Sequence, residues 1–485
     1  MAVGRRSCIV ICILIFILGS VLSATAQSII WLILARALQG VGAGGMDIMF
    51  SIVITEMVPL AKLANYVSFL QLAAGAGVVW GQLIGAVIVQ HSSWRYVFWI
   101  NVPLAGIPLI ILPMLIRKHD SSPSETLLGQ LKSMDWPGIV LVTGSLVAML
   151  YALFSGGILA PWSSGQILAP LLIGFAGLCI FVLHEMFLAG KYFKAAPLIP
   201  MRLFNNRSAA AAFTIVLVHG IVISTIVYDY TIYLFIIGGV DLIGLAVRSL
   251  PTAIIPLGSA GVASVLITKA GSFKWFNVAG LCILLIGMAM LHTLKGTSPL
   301  GDQVGFQVIY SIGLGILFPA RAMAAVVSQE RKSDHPQAAA LVSIGFNLGQ
   351  TFGLAVGSAI LQNAWNVALD KAVTEGTVPA EHLITGSDIE ASFEIIKELP
   401  VTLRDKYREI AAISTGQIWL VMAVLTGMTL ILALFSKNLR FGDAAVAGSS
   451  RLDDSDSEDR LIQEEMQKME GKESVKKLEL YIARW

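Results

Sequence analysis

Charged residues are scarce in this sequence. They make up 13% of the 485 residues, whereas 56% are hydrophobic, and a soluble globular domain carries about 25% charged residues. The 33 Lys and Arg nearly balance the 31 Asp and Glu, so the chain lacks the net charge typical of nucleic-acid-binding proteins. The shortage argues against a soluble domain or a nucleic-acid partner, and it predicts a surface that faces a lipid bilayer.

Cysteine is also rare, and several catalytic motifs are missing. The four cysteines lie in apolar runs without disulfide or metal spacing, so we interpret them as small buried hydrophobes: Cys8, Cys12, Cys179 and Cys282. The sequence has no GxxxxGKS or GxxxxGKT phosphate-binding loop and no serine-hydrolase elbow. We therefore expect no enzyme, no ATP-driven pump, no cofactor and no metal site.

Long apolar runs dominate what is present. A helix needs about 20 apolar residues to cross the hydrocarbon core of a bilayer, and backbone polar groups cannot stay unpaired there. Alternating patterns of a membrane barrel are absent. The sequence therefore predicts an all-α membrane protein with about twelve spanning helices, at 8–26, 29–56, 66–89, 94–116, 137–155, 166–188, 209–237, 243–268, 275–293, 304–328, 338–362 and 412–436.

Basic residues in the short loops predict the orientation. With a cytoplasmic N-terminus, most loop Lys and Arg fall inside, as positive charge does in membrane proteins, and the short outer loops receive little beyond Arg95 and Lys295. Twelve spans return the C-terminus to the cytoplasm. A cleaved signal peptide over 5–26, ending at Ala24-Thr25-Ala26, is an open alternative. Cleavage would leave an odd number of spans and spoil the charge asymmetry.

Three motifs, in order along the chain, resemble one family. Residues 36–45 read RALQGVGAGG, Gly77, Gly81 and Gly85 recur every fourth residue, and 94–103 read WRYVFWINVP. They resemble motif B on the fourth helix, the antiporter motif on the fifth helix and the start of the sixth helix of the major facilitator superfamily. The antiporter motif departs from the family at Gln82, where a proline is expected. This departure weakens the antiporter inference.

Later segments resemble the fourteen-helix drug:proton antiporter branch, especially fungal efflux pumps. Residues 161–164 (PWSS) fall between two extra helices, and 197–207 resemble the loop before that branch's ninth helix. The match places 29–56 as the family's fourth helix, so its first two helices are expected to be missing. A truncated gene model and a shortened protein both remain open.

The resemblance implies a domain organisation. We expect a truncated first bundle of four helices over 1–117 and two extra helices with flanking loops over 118–207. A six-helix second bundle follows over 208–440, with an extracellular loop at about 365–411, in which part of 387–410 is expected to form an amphipathic helix on the membrane surface. An acidic cytoplasmic tail over 441–485 is expected to be disordered.

The function implied is secondary active export of a small organic molecule, such as a drug, toxin or secondary metabolite, by proton antiport. The partners are the substrate, protons and the bilayer, and we expect a monomer in the plasma membrane, with the vacuolar membrane open. An amino-acid or siderophore transporter of the same fold, or a non-functional fragment, is the alternative.

Charged residues inside apolar helices are candidates for proton coupling, because a charge in the membrane is costly unless it serves a cavity or a partner. Arg36 matches the motif B arginine that the resemblance implicates in coupling. Asp47 lies on about the same helix face but about 16 Å along the axis, so the two cannot pair. Each also has a structural interpretation, as a hydrogen-bonding hub or a packed polar group.

Polar side chains at other apolar positions are candidates for a substrate cavity, with burial in a core as the open alternative for His219 and access to outside water for Asp229. They are Gln39, His219, Asp229, Tyr230, Asn347 and Gln350.

Glycines spaced by four share one helix face and let helices approach closely. Two such stripes predict helix-packing seams, formed by Gly77, Gly81 and Gly85 and by Gly345, Gly349, Gly353 and Gly357.

Overall fold

The computed structural model describes residues 5–58, 60–115, 134–187, 198–329, 331, 334–379, 383–386, 389 and 393–439. These residues are almost entirely helical, with one isolated bridge between Gly156 and Ala160 and no strand. The predicted all-α fold class is confirmed. The tail predicted over 441–485 lies outside the described residues.

The first half of the chain contributes seven helices to the described structure. They are α1 (Arg5–Ala24), α2 (Ile29–Met57), α3 (Leu60–His91), the single turn α4 (Tyr96–Trp99), α5 (Asn101–Leu115), α6 (Trp136–Ser155) and α7 (Gly165–Phe187).

The second half contributes nine α-helices, which follow a 3₁₀ helix at Met201–Phe204. They are α8 (Arg207–Thr225), α9 (Thr231–Gly238), α10 (Leu242–Arg248), α11 (Leu250–Ala270), α12 (Lys274–His292), α13 (Leu300–Val327), α14 (His335–Thr374), α15 (Phe393–Glu398) and α16 (Val401–Phe435). A π turn over Ile226–Tyr230 joins α8 to α9 in one long span.

Eleven of the described helices are long and apolar enough to cross a membrane. The remaining predicted run, 94–116, is broken into α4 and α5, and its apolar part over Tyr96–Leu112 is shorter than the eleven long helices. Pro103 lies in the first turn of α5, where the missing backbone N–H costs no hydrogen bond. The sequence therefore predicts the number of apolar segments but not this break.

We name helices α1–α5 the first bundle and helices α8–α16 the second bundle. The first bundle is built on a close contact between α1 and α2. A Cβ at Gly42 of α2 would lie 2.5 Å from the Phe16 nitrogen, and one at Gly19 of α1 would lie 2.6 Å from the Gln39 backbone. Both glycines let the two backbones touch. A small core of Ile9, Ile13 and Met49 forms beside this contact, against side chains of α5.

The second bundle holds the main hydrophobic core. Its largest buried side chains are aromatic, and Tyr230 lies with its ring centroid 5.6 Å from Tyr233 and 6.2 Å from Trp419. The Tyr230 hydroxyl donates to the Gln303 carbonyl at 2.8 Å, which satisfies the polar end of a side chain that is otherwise in an apolar environment.

The hairpin of α6 and α7 packs against the second bundle. The indole N–H of Trp162, in its connecting turn, donates to Asn363 Oδ1 of α14 at 3.2 Å. At the other end of the hairpin, the Glu185 carboxylate accepts the backbone N–H groups of Leu198 and Ile199, which precede α8. His184 Nε2 lies 2.9 Å from Asp135 Oδ1, so the polar pair at 184–185 fastens the hairpin.

Most of the described residues within the loop predicted over 365–411 are helical. The α14 helix continues to Thr374, and α16 begins at Val401. Trp365 and Tyr407 stack with ring centroids 6.0 Å apart, because both helices bury one face against each other beyond the apolar segment. Their polar outer faces lower the average hydropathy, which is why the apolar runs end too early.

Alternation of the helices defines two ends of the molecule. We name the end containing Ser208, Lys274 and Lys437 the first face; there the Lys437 backbone N–H donates to Ser208 Oγ at 2.9 Å. We name the end containing Gln90 and Asp241 the opposite face, where Gln90 Nε2 donates to Asp241 Oδ2 at 3.0 Å. The latter bond joins the two bundles.

Candidate substrate cavity

A cavity of about 970 Å³ lies between the two bundles. The first bundle lines it with α2 and α3, and the second bundle lines it with α8, the π turn, α11, α13 and α14. Its wall is mostly apolar, and a small number of polar groups in an apolar pocket is typical of small-molecule sites. The polar side chains in the wall that are larger than Ser and Thr are Asp47, Gln82, Tyr228, Arg321, Asn347 and Gln350.

Asp47 makes a contact between the bundles inside this cavity. Its Oδ2 accepts a hydrogen bond from Asn347 Nδ2 of α14 at 2.9 Å. One turn further along α2, Ser51 Oγ lies 2.8 Å from Ser343 Oγ. The structure therefore brings together Asp47, Asn347 and Gln350, three of the residues singled out from the sequence.

Arg321 is a cavity residue that the sequence prediction missed. It lies on α13, its side chain is 4% exposed, and its guanidinium carbon lies 4.0 Å from the Phe346 ring centroid and 5.2 Å from that of Phe318. Asp47 is the acidic group with which it interacts electrostatically. The signal was available, because Arg321 is a charge inside the apolar run 304–328.

His219 lies behind the cavity wall. His219 is 1% exposed, and its ring centroid lies 4.7 Å from that of Phe318 and 5.6 Å from that of Phe346. Within the described part of the chain, neither ring nitrogen has a hydrogen-bond partner. The two phenylalanine rings separate it from the open volume. Of the two interpretations left open from the sequence, the structure places His219 in the core.

The π turn directs neighbouring residues to different sides. Tyr228 lines the cavity, whereas Asp229 is fully buried beside Gly357 at the contact of α8 with α14. Tyr230 points into the aromatic core. A π turn inserts a residue into a helix and shifts its faces. The predicted cavity residues Asp229 and Tyr230 therefore lie one and two residues after Tyr228, the residue that lines the cavity.

Arg36 and Gln39 lie together at the α1–α2 contact, away from the cavity. Gln39 is buried, donates to Ser20 Oγ at 2.7 Å and accepts from Arg36. The Arg36 guanidinium lies 5.5 Å from the Phe98 ring centroid. The structure therefore does not bring Arg36 and Asp47 into one site.

The two glycine stripes have different surroundings. On α14, a Cβ at Gly349 would lie 2.2 Å from the Leu217 carbonyl oxygen and one at Gly353 would lie 2.3 Å from that of Ile221. This close seam with α8 includes Gly357, and Gly345 makes a looser contact at its end. On α3, a Cβ at Gly77, Gly81 or Gly85 would meet no described atom within 4 Å. The predicted α3 seam is therefore not formed with the described residues, because small-residue spacing does not specify a partner.

Among the described residues, no group of three or more His, Cys, Asp or Glu is placed to hold a metal ion. The side chains that line the cavity offer hydrogen bonding, charge and apolar contact. These interactions suit reversible binding of a small molecule.

Known proteins with similar sequences are transporters. The chain is 32% identical over 433 residues to MFS transporter L2 of Phoma sp., covering 89% of this chain and 71% of that protein. It is 30% identical to the MFS-type efflux pump LUC4 of Fusarium sp., covering 91% and 77%. It is 28% identical to the Acurin A biosynthesis cluster MFS-type transporter of Aspergillus aculeatus, covering 90% and 78%.

Solved structures give the same fold at low identity. The proton:xylose symporter XylE superposes with a TM-score of 0.52 at 15% identity, covering 91% of this chain and 83% of that one. The human organic anion transporter MFSD10 superposes with a TM-score of 0.50 at 10% identity, covering 88% and 78%. These likenesses describe the fold alone.

The sequence profile of the Major Facilitator Superfamily matches residues 2–328. Together with the cavity between two helical bundles and the apolar helices, this match makes the chain a multi-pass membrane transporter. It belongs to the Major Facilitator Superfamily.

Proposed function

We propose that this protein exports a small amphipathic organic molecule, such as a toxin or secondary metabolite, in exchange for protons. The observation that carries the proposal is the cavity between the bundles, in which an apolar wall surrounds the Asp47–Asn347 contact and Arg321. Relatives named as efflux pumps, and one named for a biosynthesis cluster, support the direction and the substrate class.

Asp47 is the proposed proton carrier. Its carboxylate holds Asn347 of the other bundle, and protonation removes the charge that strengthens this hydrogen bond. A hydrogen-bond donor of the substrate competes with the proton for the same oxygens. Because a ligand shifts a conformational equilibrium only by its differential affinity, this competition exchanges proton for substrate as the bundles alternate.

The orientation and the extra helices belong to the same proposal. The first face is cytoplasmic and the protein lies in the plasma membrane, in keeping with the basic loops at that face. The α6–α7 hairpin corresponds to the extra pair of the fourteen-helix branch. Arg36 then supports the α1–α2 contact and acts on coupling only through it.

Proton-coupled flux in proteoliposomes tests the proposal. Vesicles with an imposed pH gradient are supplied with three fluorescent amphipaths, namely rhodamine 6G, N-dansylglycine and N-dansylglycine methyl ester. We expect at least one probe to move against the proton flow, and its flux to collapse when the gradient is dissipated. The proposal would be contradicted if the flux of all three probes were independent of the pH gradient.

The role of Asp47 is tested with Asp47→Asn, which keeps the shape and a hydrogen-bonding group. We expect this variant to bind the transported probe but to lose the dependence of its flux on the gradient. Asp302→Asn, at the start of α13 and outside the cavity lining, is the matched control and should retain that dependence. Retention by Asp47→Asn would assign the proton to another group.

A further inference from the structure

We propose that Arg321 is the recognition site for an acidic oxygen of the transported molecule, so that the substrate class is amphipathic organic acids, such as carboxylates. This inference rests on the proposed function and specifies its substrate. It goes beyond the sequence candidates, among which Arg321 was absent.

The first argument is that the guanidinium of Arg321 is incompletely satisfied. Its Nε and Nη1 are buried and have no hydrogen-bond partner among the described residues, although Arg321 lines the cavity and is only 4% exposed. A buried charge without hydrogen bonds is costly. A ligand that brings an anionic acceptor into the cavity supplies the missing partner, and the planar guanidinium fork matches a carboxylate.

The second argument concerns the charges that face this group. Arg321 and Asp47 are the only charged side chains among the described residues that line the cavity. Asp47 already accepts the Asn347 amide and is not hydrogen-bonded to Nε or Nη1 of Arg321. The His219 ring packs against the same two phenylalanines as Arg321, Phe318 and Phe346, and it offers no negative charge. An anion therefore meets Arg321 as the one cation of this lined volume.

The third argument is the apolar surroundings. The guanidinium packs against the rings of Phe318 and Phe346. Val326, Val342 and Leu257 also line the cavity and add to its apolar wall. A charge-assisted hydrogen bond is stronger away from water. The site therefore fits an acid with an apolar body, and it selects against a neutral analogue of the same body.

N-dansylglycine and its methyl ester provide a matched pair of probes, because they share the apolar body and the sulfonamide N–H and differ in the acid. Binding is measured by fluorescence with the full chain in lipid nanodiscs, without a pH gradient. We expect the wild-type protein to prefer the acid by about tenfold or more, the value of one charge-assisted hydrogen bond. Arg321→Gln should abolish that preference while keeping ester binding.

Two further variants complete the test. Arg321→Lys keeps the charge without the fork and should restore part of the preference. Arg207→Gln removes an exposed arginine at the start of α8 and should bind like the wild type. If Arg321→Gln does not fold, the wild-type preference and the Arg321→Lys value decide the matter.

Three outcomes overturn the inference. They are no binding of the acid by the wild type, equal binding of acid and ester, or a preference that Arg321→Gln leaves unchanged. Failure of the proposed function has a different signature. In that case the acid preference depends on Arg321 in nanodiscs, but vesicle flux ignores the pH gradient.

Discussion

At the scale of single residues, the same glycine-to-alanine substitution should have opposite effects on stability at two positions. Gly353→Ala places a Cβ 2.3 Å from the Ile221 carbonyl oxygen, and such overpacking costs about 1–3 kcal/mol. Gly77→Ala meets no described atom within 4 Å, and replacing glycine by alanine within a helix stabilises it by about 0.5–1 kcal/mol. In thermal unfolding experiments in detergent, Gly353→Ala should therefore have a lower Tm than the wild type, and Gly77→Ala should have an equal or higher Tm. Equal shifts would mean that α8 and α14 are not in close contact.

The polar residues show how far the sequence predicts the site. Asp47, Asn347 and Gln350 stand out because polar groups inside apolar runs need a reason, and all three line the cavity. The same criterion applies to Arg321 but was not used there. This criterion does not distinguish Gln39 from a cavity residue. The Gln39 amide finds its hydrogen-bond partner in Ser20 of the neighbouring helix, and the sequence does not say which helix lies opposite.

At the scale of elements, the bond between α3 and the turn before α10 predicts a pH response. Asp241 accepts hydrogen bonds from Gln90 and from the backbone N–H of Gly244, and these lower the pKa of its carboxyl group. A lowered pKa means that the contact is fully present above the ordinary carboxyl pKa, about 3.9, and is lost as pH falls through the lower value. The contact should therefore be constant from about pH 5 to 8.

Gln90→Glu converts this contact into a repulsive pair. Two facing carboxylates raise the pKa of one of them, so repulsion is largest at about pH 8 and declines towards about pH 5 as that group takes up a proton. Opening at this face is measured by labelling Ser224→Cys, which lines the cavity, with a membrane-impermeant thiol reagent.

Labelling should rise with pH in Gln90→Glu more steeply than in Gln90→Ala, which loses the hydrogen bond without gaining a charge. Parallel pH curves for the two variants would show that this contact does not hold the bundles together.

The α6–α7 hairpin gives a second prediction at this scale. Asp135 caps α6 by accepting the Gly138 N–H at 3.1 Å, and it also contacts His184 of α7. Asp135→Ala removes the carboxylate that contacts both Gly138 and His184. A lost helix cap alone costs about 0.5–2 kcal/mol, and the hairpin should be destabilised by this amount or more. Asp135→Asn retains a capping oxygen and should cost less. Proteolysis rates of the hairpin in detergent compare the two, and equal rates would argue against the capping role.

At the scale of the whole molecule, the contact between Ser51 and Ser343 can test the relative motion of the bundles. Their hydroxyl oxygens are 2.8 Å apart across α2 and α14, and a disulfide forms when the Cβ atoms are about 4 Å apart. Ser51→Cys combined with Ser343→Cys should lose flux after oxidation and regain it after reduction. Each single variant, with the four native cysteines present, is the control, and retained flux in the oxidised pair would mean that this contact stays fixed during transport.

The overall fold was predictable to the extent that it follows from apolar length. Runs of about 20 residues predict the all-α membrane fold, which is confirmed, and eleven of the described helices reach that length. A helix was expected within 387–410, but not the continuation of the spanning helices α14 and α16 beyond their apolar parts, because Trp365 and Tyr407 are buried on helices whose other faces are polar. The π turn was missed because its sequence, IVYDY, carries no feature that marks an inserted residue.

The bond between Trp162 and Asn363 gives the hairpin a mechanical role. The hairpin is bonded to α14 at one end and to the segment before α8 at the other. We therefore expect it to move together with the second bundle. The Leu159 side chain is exposed in the connecting turn. A fluorophore attached there would then be displaced when the second bundle tilts, and its displacement would report that tilt. The pair thereby offers a view of the transport cycle from outside the cavity.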